Sequence, residues 1–121
     1  MEAPAKGAVV LVRFPFSDLS QTKLRPARVL ADAGRGDCIL CQITSQPYGD
    51  STSLMLDDAA FASGSLRVTS YVRPGKLFTA SSDLITARVG ELKRESVTRI
   101  VDAVVALLRA GAPGTSAPDR S

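Results

Sequence analysis

Apolar residues come in short runs punctuated by turn residues over most of the chain, and then change period near its end. Val9-Val10-Leu11-Val12 is a β-branched apolar run bounded by Gly7 and Pro15, the mark of a buried strand. Residues 16–24 are polar, with Ser17, Asp18, Ser20, Gln21, Thr22 and Lys23, and read as a loop longer than a hairpin needs. A second strand begins at Arg25-Pro26, since proline at a strand entrance gives up the least hydrogen bonding. Residues 33–36 read as a turn, residues 37–44 as a third strand, and residues 46–50 as its break. Short strands are predicted at 53–56, 66–69 and 76–79, with turns at Gly64 and at Pro74-Gly75. Many short strands at close spacing indicate a small sandwich or barrel.

The period then lengthens. Val97, Ile100, Val101, Val104, Leu107 and Leu108 follow the helical i, i+3, i+4, i+7 stripe, while Arg94, Glu95, Arg99, Asp102 and Arg109 lie off it. Gly111 is a helix stop. The pattern predicts one domain over residues 1–111 and a disordered tail over 112–121, where apolar content falls away.

Composition narrows the chemistry. The 121 residues suit a single domain able to bury a core without staples. Four Phe, two Tyr and no Trp are too few for a broad aromatic platform of the RNA-recognition type. The formal charge is +3, and Lys6, Arg13, Lys23, Arg25, Arg28 and Arg35 outnumber the acidic residues before position 36. That bias allows a polyanionic partner without demanding one. There is no histidine, which removes His-based triads, a His general base and His-containing metal sites.

Cys38 and Cys41 form a C-x-x-C spacing inside a predicted strand. Three strand steps put their Cα atoms about 10 Å apart with side chains on opposite faces. A disulfide needs Cα atoms within about 7 Å, so the spacing predicts two buried thiols. The run from Ala8 to Val12 is too short to span a membrane, and the N-terminus lacks a signal peptide's pattern, so a soluble cytoplasmic protein is expected.

Candidate chemistry gathers on the second and third strands. Closing them as a hairpin, with Asp32 opposite Asp37, sets Val29 opposite Leu40 and Arg25 opposite Thr44. A shift of one residue would bring Ser45 or Ile43 to Arg25 instead. In either register Arg25 shares one end of the hairpin with Thr44, Ser45 and Gln46. Pro26 biases the Arg25 backbone toward an extended form. A restrained guanidinium among hydroxyls and an amide suits a phosphate, whose oxygens accept its parallel donors. On spacing alone, a structural arginine paired with Asp18 or loop carbonyls is the commoner arrangement, and Thr44 alone is an ordinary strand residue.

Several motifs in order resemble one family. Gly7-Ala8-Val9-Val10-Leu11-Val12, Phe14-Pro15-Phe16 and Arg25-Pro26-Ala27-Arg28-Val29-Leu30 resemble the opening of the MazF/PemK family, ribonuclease toxins of type II toxin–antitoxin systems. Ile43-Thr44-Ser45-Gln46 is similar to its second motif, and residues 70–79 with the terminal helix resemble its PemK-like branch. The resemblance implies a mainly β fold with α, a small SH3-like barrel carrying a C-terminal amphipathic helix, usually as a homodimer. It implies cleavage of single-stranded RNA such as mRNA, with no metal or other cofactor, and inhibition by a cognate antitoxin whose acidic flexible segment suits a basic groove. The family's catalytic arginine and threonine fall on Arg25 and Thr44. Asp18, Gln21, Lys23, Arg28, Ser45 and Gln46 are the candidate substrate contacts around them. The chain departs from the pattern at Gly7-Ala8, where many members have Gly-Asp, and in the 17–23 loop, where no glutamate role carries over. Two rivals keep the fold: an inactive module that binds RNA or protein, and a gyrase-binding toxin of CcdB type.

Overall fold

The computed structural model describes residues 7–15 and 22–111. Among these residues seven strands form one sheet: β1 (Ala8–Pro15), β2 (Thr22–Gly34), β3 (Asp37–Thr44), β4 (Leu54–Leu56), β5 (Phe61–Gly64), β6 (Ser70–Ser81) and β7 (Ile85–Leu92). Every pairing is antiparallel, in the order β4-β6-β3-β2-β1-β7-β5, and one α-helix among the described residues, α1 (Arg94–Ala110), follows. The sheet curls into a half-barrel, bent by register shifts in the β1–β7, β2–β3, β3–β6 and β5–β7 pairs. The predicted small barrel with a terminal helix is the observed fold.

Both faces of the sheet are buried at its centre. One carries Val9, Cys41, Ile43, Leu56, Phe61, Val72 and Leu92 together with Ile100 of α1. The other carries Val10, Val12, Ala27, Val29, Cys38 and Leu40. Cys38 and Cys41 are free thiols in different clusters, as the three-residue spacing requires. The start of α1 is tied to the sheet through Ala60, whose carbonyl accepts from the Lys93 N–H at 2.9 Å and the Ser96 hydroxyl at 3.0 Å. Gly7 lets α1 sit close, because a Cβ there would meet Val97 Cγ2 at 3.0 Å. Gly111 ends the helix in the left-handed conformation, φ 79°, as read from the sequence. The apolar stripe is only partly covered: Ile100 and Val104 are buried, whereas Leu108 is 66% exposed.

Several local expectations change. β2 begins at Thr22, before Arg25, so Pro26 is no strand entrance and stands opposite Leu11 inside the β1–β2 ladder. The hairpin turn is tighter than residues 33–36, with Arg35 and Gly36 at φ 59° and 81°, the pair of positive values a two-residue type I′ turn needs. Residues 66–69 form no strand; β5 lies just upstream instead. Pro74-Gly75 does not turn the chain. It lies inside β6, between the Ile43–Val72 and Cys41–Leu77 pairs, where the ladder jumps and a missing N–H costs nothing. β7 has no counterpart among the strands expected from the sequence, although Ile85, Ala87 and Val89 alternate with Thr86, Arg88 and Gly90 at the period of a strand; it pairs with β1 and β5. The predicted tail over 112–121 lies outside the described residues.

Candidate functional site

The β2–β3 hairpin sets the geometry. Val29 stands opposite Leu40 as expected, but register shifts near the turn place Asp32 opposite Cys38, and Gly34 takes Asp37. Toward the open end the ladder runs through Arg28–Cys41 to Ala27–Gln42. Two residues beyond that last pair, on their respective strands, are Arg25 and Thr44. Strand alternation puts both on the face of Ala27 and Gln42. Arg25 also faces Val12 across the β1–β2 ladder, and Thr44 faces Tyr71 on β6. Each is therefore held by a second neighbouring strand, and both are half-buried. The structure thus brings together the end of the hairpin that the sequence singled out.

Thr44 also starts the turn that leaves the sheet. Its Oγ1 accepts from the Gln46 N–H at 3.1 Å and lies 3.4 Å from the Gln46 carbonyl, so one hydroxyl caps the strand end. Ser45 and Gln46 are exposed there. Lys23 is exposed on β2 and alternates onto the face of Arg25. Asp18 and Gln21 lie outside the described residues.

Arg28 is a correction. Proposed from the sequence as a substrate contact, it is fully buried, and none of its guanidinium nitrogens has a hydrogen-bond partner among the described residues. It stands three positions on from Arg25, so alternation turns it to the opposite face, on the side of Cys41. Burial lowers its pKa to about 10, against a smaller opposing effect of Cys41. Burial likewise raises the Cys41 thiol to about 12.

A polar hub beside Thr44 was missed. Arg73 Nε donates to Asp50 at 2.8 Å, and its NH1 donates to the Gln42 side chain at 3.4 Å. Asp50 also accepts from the Thr52 hydroxyl at 2.6 Å and the Thr52 N–H at 2.9 Å. These bonds, the Thr52 hydroxyl first and then Arg73, hold the Asp50 carboxyl below its usual range. The Asp50-Ser51-Thr52 run is a legible Asx-turn signal, but nothing local pairs it with Arg73. Among the described residues, no three Cys, Asp or Glu side chains stand close enough to hold a metal ion.

Residues 5–108 match the family model described as a PemK-like, MazF-like toxin of type II toxin–antitoxin systems. The chain belongs to that family. Solved structures of the same fold include an endoribonuclease from a mycobacterial species, 20% identical with a TM-score of 0.67, covering 95% of this chain and 98% of that one. A mycobacterial endoribonuclease in complex with its cognate antitoxin is 20% identical with a TM-score of 0.67, covering 93% of this chain and all of that one. A MazE–MazF structure from Deinococcus radiodurans is 21% identical with a TM-score of 0.70, covering 90% and 98%. No curated protein sequence matches the chain. In this PemK-like toxin the quoted motifs sit where the fold joins them: the Arg25-Pro26 strand and the Thr44-Ser45-Gln46 strand end share one hairpin. No helix among the described residues is long and apolar enough to cross a membrane.

Proposed function

We propose that this toxin is a sequence-specific endoribonuclease that cuts single-stranded RNA, mRNA above all, without a metal ion or cofactor, and acts in the cytoplasm. What carries the reading is Arg25 and Thr44 on one face at the open end of one hairpin, in a chain of this family. The ribose 2′-hydroxyl attacks the adjacent phosphorus, the 5′-oxygen leaves, and a 2′,3′-cyclic phosphate and a 5′-hydroxyl result. Arg25 stabilises the extra charge on the phosphoryl oxygens, and the Thr44 hydroxyl donates a further hydrogen bond. Lys23, Ser45 and Gln46 line the approach, and Asp18 and Gln21, outside the described residues, are further candidate contacts. The working unit is a homodimer, and the acidic flexible segment of a cognate antitoxin blocks its groove.

The test is cleavage of a defined RNA by purified protein in excess EDTA. Products ending in 2′,3′-cyclic phosphate, together with no cutting when the scissile nucleotide is 2′-deoxy, are expected. Activity that disappears with EDTA and returns with magnesium overturns the mechanism.

A further inference from the structure

We propose that the groove beside the 45–53 segment is a nucleotide subsite for single-stranded RNA, in which a base stacks on Tyr48 and the neighbouring phosphate lies on Lys76. It rests on the nuclease reading above and extends it to substrate recognition.

The groove has a volume of about 410 Å³ and is lined by Tyr48, Asp50, Thr52, Arg73, Lys76 and Leu107, with glycines between. Tyr48 is 82% exposed. A lone exposed aromatic is ordinary, but Tyr48 also stands at φ 53°, in the left-handed region that a bulky residue avoids. A neighbouring turn braces that conformation. The Asp50 N–H donates to the Pro47 carbonyl at 3.0 Å, the Asp50 carbonyl accepts from the Ser53 N–H and hydroxyl, and its carboxylate is bound by Thr52 and Arg73. The ring is thus presented outward on an ordered turn, which lowers the entropy lost when a base stacks on it.

Charge favours a nucleotide. The one carboxylate in the groove, Asp50, is offset by Arg73 at 2.8 Å. Lys76 makes no ion pair among the described residues, and its ammonium remains for a phosphate. The groove is also continuous with the candidate active site. Lys76 lines a second hollow of about 180 Å³ with Gln42, Leu77 and Phe78. Gln42 is the residue opposite Ala27, two positions before Thr44 on the same face. An RNA strand bound at Arg25 and Thr44 can therefore pass over Gln42 and Lys76 to Tyr48. Sequence-tolerant stacking of this kind is how sparse aromatic residues hold single strands.

Two experiments test it. The native chain has no tryptophan, so Tyr48→Trp supplies a single probe, titrated with a non-cleavable 2′-O-methyl RNA oligonucleotide. Saturable quenching is expected. In cleavage assays, Tyr48→Asn removes the ring while tolerating the left-handed backbone, and should raise KM about 5- to 150-fold with kcat within about twofold. Tyr48→Phe should stay near the wild type, and Lys76→Ala should raise KM and flatten the salt dependence. Wild-type KM in Tyr48→Asn, with RNA still cut, overturns the subsite and leaves the nuclease reading standing. RNA neither bound nor cut by the wild type sinks both. Quenching by an acidic peptide but not by RNA gives the groove to a protein partner and also overturns the proposal.

Discussion

Arg28 on β2 stands directly opposite Cys41 on β3, and both side chains are sealed from solvent. The pair is a cation facing a neutral thiol. Burial holds the Cys41 pKa near 12 even against the field of Arg28, and its Sγ lies 3.0 Å from the Arg73 carbonyl, in reach of an S–H donor. The guanidinium nitrogens have no hydrogen-bond partner among the described residues. A buried charge left in that condition works against folding.

Replacing Arg28 with an apolar residue of similar length is therefore expected to stabilise the protein. Arg28→Met or Arg28→Leu should gain about 1–4 kcal/mol in urea unfolding. The folded-state pKa near 10 lies below that of the unfolded chain. The penalty is therefore fully present below pH 10 and eases above it, as the folded state gives up its proton first. The advantage of the variant should be flat from pH 6 to 9 and shrink above about 10. A destabilised, well-folded variant at neutral pH would contradict the account.

Cys41 has the opposite pH signature. Its folded pKa is raised to about 12 from an unfolded value near 8.5, so neutral-thiol burial contributes fully below the unfolded value. That contribution is lost as pH rises through the window from about 9 to 12, because the unfolded chain ionises first. Cys41→Ala should start less stable at pH 7 and lose less over that window than the wild type does. A thiol reagent at pH 8 should modify native Cys41 only as fast as the domain opens. Rapid modification in the native state would show that the site is not sealed.

Arg25→Ala should lose about 100- to 1,000-fold in cleavage rate with the fold intact, the usual cost of removing a transition-state donor. Arg25→Lys should also be poor, since an ammonium lacks the planar fork. Thr44→Val keeps the volume and removes the hydroxyl, which also caps the strand end through Gln46. Circular dichroism alongside the kinetics separates loss of chemistry from loss of the turn. If Arg25→Ala and Thr44→Val both cut at the wild-type rate, the site lies elsewhere.

Light scattering at micromolar concentration should give the mass of a homodimer. The partly exposed Val105 and Leu108 of α1 are apolar surface that a second copy would cover. Leu108→Glu should then weaken association. A strictly monomeric protein of full activity would remove the dimer from the mechanism.

Much of this was written into local pattern. The β-branched run from Val9, the helical stripe ending at Gly111 and the opposed faces of Cys38 and Cys41 follow from periodicity, which one short stretch of chain carries by itself. The Val29–Leu40 pairing expected from a 33–36 turn holds only because two register shifts offset the tighter turn that forms. The same alternation shows that Arg25 and Arg28, three residues apart, cannot both face one groove.

Other features depended on partners distant in sequence. Whether Arg28's face was open or covered was decided by packing distant in sequence: Cys41, opposite Arg28, lies in a core cluster with Val9, Val72 and Ile100 of α1. Pro74 sits within a strand because the β3 ladder skips there. The Asp50–Arg73 bond joins a loop to a strand 23 residues on, and so sets Tyr48 and Lys76 beside one groove. Periodicity and turn chemistry act over a few residues and specify elements from the sequence alone. Burial, cross-strand neighbours and the joining of side chains into a site are properties of the packed sheet, and only the tertiary structure decides them.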